Sequence, residues 1–322
     1  MSDVVLEGSS LRLGERFSVQ FQRTLRVPGD GREYPLPPGL GAFPLHEVGR
    51  FARRVPSSWR RERAFFFPMY RREAMWLVFN AAYWKPNAVK VGVGGINAIS
   101  GEAWSGELRS DPQNYLVVPI QPWLDGINAG VGSVQQFVAV PLGSGYTVEA
   151  QLTGREERGG IQIISYEPKP SVFPDRPPPM PPWLGEGGEE SAPPVEMGFA
   201  AGGKIRQRIY PDPYGLGTWD VENYTSAWVY IVDSEQYKRI TGLAPPPSPI
   251  TAQTYTSVGL PWFDLYDEGA GDVAPGERLT HVKTTADLDA LMDADGAPGD
   301  PPIDIARSQI EMLPWEGSDP TV

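Results

Sequence analysis

The chain holds 36 Gly and 35 Pro among its 322 residues, and that density constrains its fold more than any other feature. Proline removes a backbone donor and clashes with the preceding helical turn, while glycine inside a helix costs about 1 kcal/mol relative to alanine. Long helices are therefore disfavoured, and short strands joined by turns are favoured. Residues 17–27 (FSVQFQRTLRV) fit that expectation. Phe17, Val19, Phe21, Leu25 and Val27 share one parity, which is one face of a strand. Arg23 falls on the same apolar face, so it is predicted to lie at a sheet edge or to pair with a carboxylate.

Similar apolar runs predict strands at 74–80, 88–94, 115–120, 204–210 and 226–232. Residues 134–167 read as a three-strand meander of VQQFVAVP, YTVEAQL and IQIISYE, with Tyr146, Val148, Ala150 and Leu152 on one face. Short helices are predicted at 44–54 behind Pro44, between a Ser234 cap and Gly242, and between a Thr285 cap and Gly296. The fold class that follows is mostly β: an antiparallel β-sandwich or two packed β modules, with a few short helices.

Residues 168–195 contain 10 prolines and a Gly/Glu patch, an extended composition that cannot join a sheet interior. The sequence thus divides into an N-terminal β module (1–168), a Pro-rich linker (169–195) and a C-terminal β-rich module with an acidic tail (196–322). Charge divides with it. The net −12 of the whole chain is +2 over residues 1–168 and −14 over residues 169–322.

That acidity argues against nucleic acid and anionic membrane surfaces as partners. No apolar run approaches the roughly 18 residues of a membrane span, and the first residues lack a signal-peptide pattern, which predicts a cytoplasmic protein. GC-rich bacterial coding would account for the excess of Arg over Lys. Cysteine is absent, so disulfides, thiolate metal sites and Cys nucleophiles are excluded. The two histidines, His46 and His281, are too few for a three-His zinc site. Gly143-Ser144-Gly145 is read as a turn between two strands, unlike a nucleophile elbow, and Gly92-Val93-Gly94-Gly95 lacks a phosphate-loop pattern. No cofactor, metal or catalytic residue is predicted.

Three constellations carry weaker signals. Eight arginines between Arg50 and Arg72, among them Arg50, Arg53, Arg54, Arg60, Arg61 and Arg63, are interleaved with aromatics and form a basic contact patch; a solvated helix end is the plainer reading. Acids beside tryptophans suggest a carbohydrate or acidic site: Trp123 with Asp125, Trp219 with Asp220, and Trp262 with Asp264, Asp267 and Glu268. Pro-Trp recurs four times, at Trp123, Trp183, Trp262 and Trp315. Trp183 and Trp315 lie in the linker and the acidic tail, without a local core, and are predicted to be interaction anchors.

The segments Gln121–Ile127 (QPWLDGI), Phe137–Glu149 (FVAVPLGSGYTVE) and Ala200–Gln207 (AAGGKIRQ) resemble a family of bacterial and fungal proteins to which no established activity attaches. The resemblance implies one architecture running across the linker and carries over no functional residues. The leading expectation is a non-catalytic interaction or structural protein that self-associates through Trp anchors and charge-complementary surfaces, as a homo-oligomer or with a protein partner. The alternative is a carbohydrate-binding or glycoside-active protein.

Overall fold

A computed structural model describes residues 4–175, 196–265, 271–292 and 301–313. The N-terminal strands are β1 (Val4–Glu7), β2 (Ser10–Leu13), β3 (Phe17–Thr24), β4 (Glu33–Tyr34), β5 (Gly39–Ala42), β6 (His46–Glu47), β7 (Ala64–Met69) and β8 (Ala74–Asn80). The central ones are β9 (Asn87–Val93), β10 (Ile96–Asn97), β11 (Leu116–Val118), β12 (Trp123–Leu124), β13 (Gly126–Gly130) and β14 (Ser133–Pro141). The rest are β15 (Ile161–Pro168), β16 (Glu196–Arg206), β17 (Trp219–Asp233), β18 (Trp262–Leu265) and β19 (Ile310–Leu313). Among the described residues four short helices interrupt them: α1 (Val148–Thr153), α2 (Ser234–Thr241), α3 (Ala252–Ser257) and α4 (Thr285–Leu291).

The chain is mostly β, as its glycine and proline content dictates. One ladder runs β1-β2-β3-β8-β14-β16 and the other β6-β7-β17-β15-β9-β11, and the start of β16 joins the end of β17. Pairing is largely antiparallel; β7 meets β17, and β4 meets β16, in parallel. Alternate residues of both ladders turn into one core. Phe17, Val19 and Phe21 of β3 and Leu77 and Phe79 of β8 meet Phe65 and Phe67 of β7, Val89 and Val91 of β9, and Val229 and Ile231 of β17. Phe21 and Phe67, one from each ladder, lie 5.1 Å apart between ring centroids.

β17 pairs with β15 over Ile161–Pro168 and with β7 over Ala64–Met69. Strands from both sides of the proline-rich segment therefore share the same sheets and the same core. Arg23 takes the paired option: its guanidinium meets Glu73 at 2.6 Å and donates to the Pro247 carbonyl at 2.7 Å. Burial pushes the Glu73 carboxyl up, and the Arg23 charge pulls it back.

The meander expected at 134–167 is corrected. Residues 148–153 form α1, because Thr147 accepts the Ala150 N–H at 3.0 Å as an N-cap and Gly154 ends the turn at φ 72°. Seven alternating residues fit a strand equally well, and the caps decide the outcome. Glu149 is buried and accepts N–H bonds from Glu157, Arg158 and Gly159, which fixes the following loop. β14 and β15 consequently lie in different ladders, with α1 in the crossover between them. Elsewhere, residues 44–54 yield β6 and a 3-10 turn at Val48–Phe51 where a helix was expected. Asp233 and Thr284, each one residue earlier than expected, cap α2 and α4. The strand expected at 204–210 ends at Arg206 and begins at Glu196. Among the described residues, no helix is long and apolar enough to cross a membrane.

Candidate functional site

Met75, Leu77 and Phe79 of β8 are buried in the common core, so the parity of the strand sends Trp76 to the opposite face. β12 lies beside it, with Trp123 opposite Val78 and the Pro122 carbonyl accepting the Phe79 N–H at 2.8 Å. Proline suits this position because no donor is needed there. Two residues on, the chain must pass close to β14. A Cβ on Gly126 would fall 1.9 Å from the Gln135 carbonyl oxygen, so only glycine fits. The Asp125 backbone is tied on both sides: its N–H donates to Gln207 Oε1 at 2.9 Å, and its carbonyl accepts from Phe137 at 3.2 Å.

A roof covers the two indoles. Leu36 and Phe263 exchange backbone hydrogen bonds of 2.7 and 2.9 Å, which anchors the two-stranded parallel ribbon of β18 and β19 over this face. Pro37, Pro38 and Gly39 cross above Trp76, and a Cβ on Gly39 would lie 3.3 Å from its ring. The result is a cavity of about 190 Å³ lined by Leu36, Pro37, Pro38, Gly39, Trp76, Trp123, Asp125, Phe263 and Leu313. The indoles of Trp76 and Trp123 stand edge to face, 6.3 Å apart at 83°.

Asp125 is the one ionisable side chain among the described lining residues, and it is 2% exposed. Burial pushes its carboxyl up to about 7, while a hydrogen bond from Trp123 pulls the other way. Two buried polar atoms here have no hydrogen-bond partner: Asp125 Oδ2 and Trp76 Nε1. Buried polar groups are almost always satisfied, so two orphans beside one apolar cavity, both covered by neighbouring protein atoms, set this place apart.

The remaining sequence-predicted residues do not converge there. Trp219 is buried against Tyr115, and its indole donates to Asp212 at 3.0 Å. Asp220 accepts from Asn223 at 2.9 Å, which holds its carboxyl below the usual range. Trp262 is fully buried and donates to Thr256 at 3.1 Å. Asp264 pairs with Arg206 at 3.0 Å in a separate, more polar cleft of about 310 Å³ that includes Arg208, Tyr210 and Met312. Trp183, Trp315, Asp267 and Glu268 lie outside the described residues.

Four of the six arginines of the patch are engaged by their own surroundings. Arg50 pairs with Glu47 at 3.1 Å, and Arg54, Arg60 and Arg61 donate to the carbonyls of Ile240, Val55 and Ser58. Arg61 also stacks 4.1 Å over Trp228, Arg53 is exposed, and Arg63 adopts a φ of 56°. His46 sits among Phe51, Phe66 and Tyr237, where burial lowers its pKa to about 3. Ser144 leads from β14 into α1, a strand-to-helix junction where two strands were expected, and its hydroxyl donates to the Pro141 carbonyl at 2.6 Å.

Sequence reasoning singles out Trp123 and Asp125, as members of a carbohydrate or acidic site, and passes over Trp76. The available signal was parity: a tryptophan on the outward face of a strand whose inward face is already Met75, Leu77 and Phe79. Compared with known proteins, the chain matches no family, no curated protein and no solved structure.

Proposed function

We propose that this protein is a non-catalytic binding protein whose ligand site is the Trp76–Trp123–Asp125 cavity. The observation that carries the reading is the pair of buried, unpartnered polar atoms, Asp125 Oδ2 and Trp76 Nε1, beside an otherwise apolar cavity. A cavity of about 190 Å³ is below the usual range for drug-sized ligands, which limits the occupant to a small molecule or one group of a larger one. A glycosidic mechanism needs two carboxyls flanking one bond, and here one acid lines the cavity while Asp220 and Asp264 are held elsewhere by Asn223 and Arg206. A sugar carries hydroxyls around its whole ring, so the mostly apolar lining favours a less polar ligand. Self-association through Trp183 and Trp315 rests on residues outside the described part of the chain.

A small-fragment library screened by thermal shift on the full chain tests the reading. Hits are expected to stabilise the wild type, to perturb tryptophan fluorescence, and to lose their effect in Trp76→Ala and Trp123→Ala, with circular dichroism verifying the fold. Hits that bind both variants as well as the wild type would place binding elsewhere and overturn the proposal; so would a library that yields no hits.

A further inference from the structure

Resting on that reading, we infer that the cavity takes an N-methylated ammonium cation, with the Asp125 carboxylate as counterion and the faces of Trp76 and Trp123 as walls. Three features of the site converge on this class. The two indoles meet at 83° with centroids 6.3 Å apart, forming two sides of a box, and Phe263 supplies another aromatic wall. Aromatic faces carry negative quadrupolar charge and attract cations, tryptophan most strongly. Asp125 lies at this box with one oxygen unpartnered, and no cationic side chain lines the cavity among the described residues. A neutral apolar ligand would leave that carboxyl uncompensated, whereas a ligand cation would satisfy it.

The degree of substitution follows from the donors and acceptors. A primary ammonium brings three N–H donors, and the described lining offers a single side-chain carboxyl to receive them. A methylated ammonium has few N–H groups or none and spreads its charge over methyl groups, which pack against Leu36, Pro37, Pro38 and Leu313. Choline has that composition.

Charged groups on the surrounding elements do not substitute for the ligand. Arg23 of β3 is held by Glu73; Glu33 is on β4, Asp264 on β18 is paired with Arg206 at 3.0 Å, and exposed Glu311 is on β19. None of them lines the cavity. Asp125 is accordingly the group that sets the pH dependence. Its carboxyl titrates near 7, so cation binding should strengthen about tenfold between pH 6 and pH 8 as the ionised fraction rises.

The test is titration of the full chain with choline, tetramethylammonium and 3,3-dimethyl-1-butanol, the neutral analogue of choline, followed by calorimetry and tryptophan fluorescence at pH 6 and pH 8. Both cations are expected to bind, tenfold or more tightly than the neutral alcohol at pH 8. Asp125→Asn should weaken cation binding at least tenfold and abolish its pH dependence while keeping the circular dichroism spectrum. Equal binding of alcohol and choline would overturn the cation class and leave the pocket reading standing. Absence of binding by both cations at pH 8 would also overturn it, and the fragment screen then decides separately whether the cavity binds anything.

Discussion

Replacing Asp125 by Asn removes a buried ionisable group from a mostly apolar cavity without changing its shape, and the stability consequence can be worked out with its sign. The ordinary carboxyl value is 3.8, and burial pushes the folded-state value up to about 7. Below pH about 4, both folded and unfolded chains carry the proton. Between about 4 and 7 the unfolded carboxyl ionises while the folded one stays protonated, so unfolding releases a proton and stability falls as pH rises. Above about 7 both states are ionised and the penalty is constant. A shift of about three pKa units corresponds to about 4 kcal/mol, which is the most that Asp125 can subtract from stability at pH 8. The Asn variant should therefore match the wild type near pH 4 and exceed it at pH 8 by up to that amount. Glu73, Asp264 and Asp272 also carry carboxyls raised by burial, but they are common to both proteins and cancel in the difference. Urea unfolding of the two proteins at several pH values from 4 to 8 measures it. A difference that does not change with pH would mean that the carboxyl is solvated or compensated, and the argument for an uncompensated acid would collapse.

The buried pair of Arg23 and Glu73 gives a second test: Arg23→Ala strands a carboxyl that is 3% exposed and should cost roughly 3–5 kcal/mol in urea unfolding. A loss below about 1 kcal/mol would mean that the pair behaves as a surface ion pair. Residues 1–168 and 196–322 produced as separate chains should each fail to unfold cooperatively, since β7 and β15 both lose β17 as a partner. A sharp thermal transition by circular dichroism in either piece would refute that dependence.

Strand content was legible because parity is local. β3 and β8 could be read from Phe17–Thr24 and Ala74–Asn80 alone, and the cost of an unpaired guanidinium on an apolar face narrowed Arg23 to two options, a sheet edge or a carboxylate partner, of which the second is found. The stretch at Tyr146–Leu152 was misread because period two and period 3.6 are indistinguishable over so few residues, and Thr147 and Gly154 carried the information that resolves them. Which strands pair was not legible at all. The Pro-rich segment suggested a division, yet β15 and β17, on either side of it, share a ladder from Ile161 to Pro168.

The candidate site shows the same limit. Trp123 and Asp125 stand two residues apart, and Pro122 and Gly126 around them announce an extended, sterically tight segment. The roof depends on a two-bond bridge between Leu36 and Phe263, from opposite ends of the sequence, and on Leu313 at the end of β19. That closure turns an indole beside an acid into a cavity, and burial raises the acid. An exposed Trp-x-Asp would have been a surface feature with an ordinary carboxyl. The chemistry of the cavity thus comes from long-range pairing acting on a short local motif, which is why the motif could be suspected from sequence and its uncompensated charge could not.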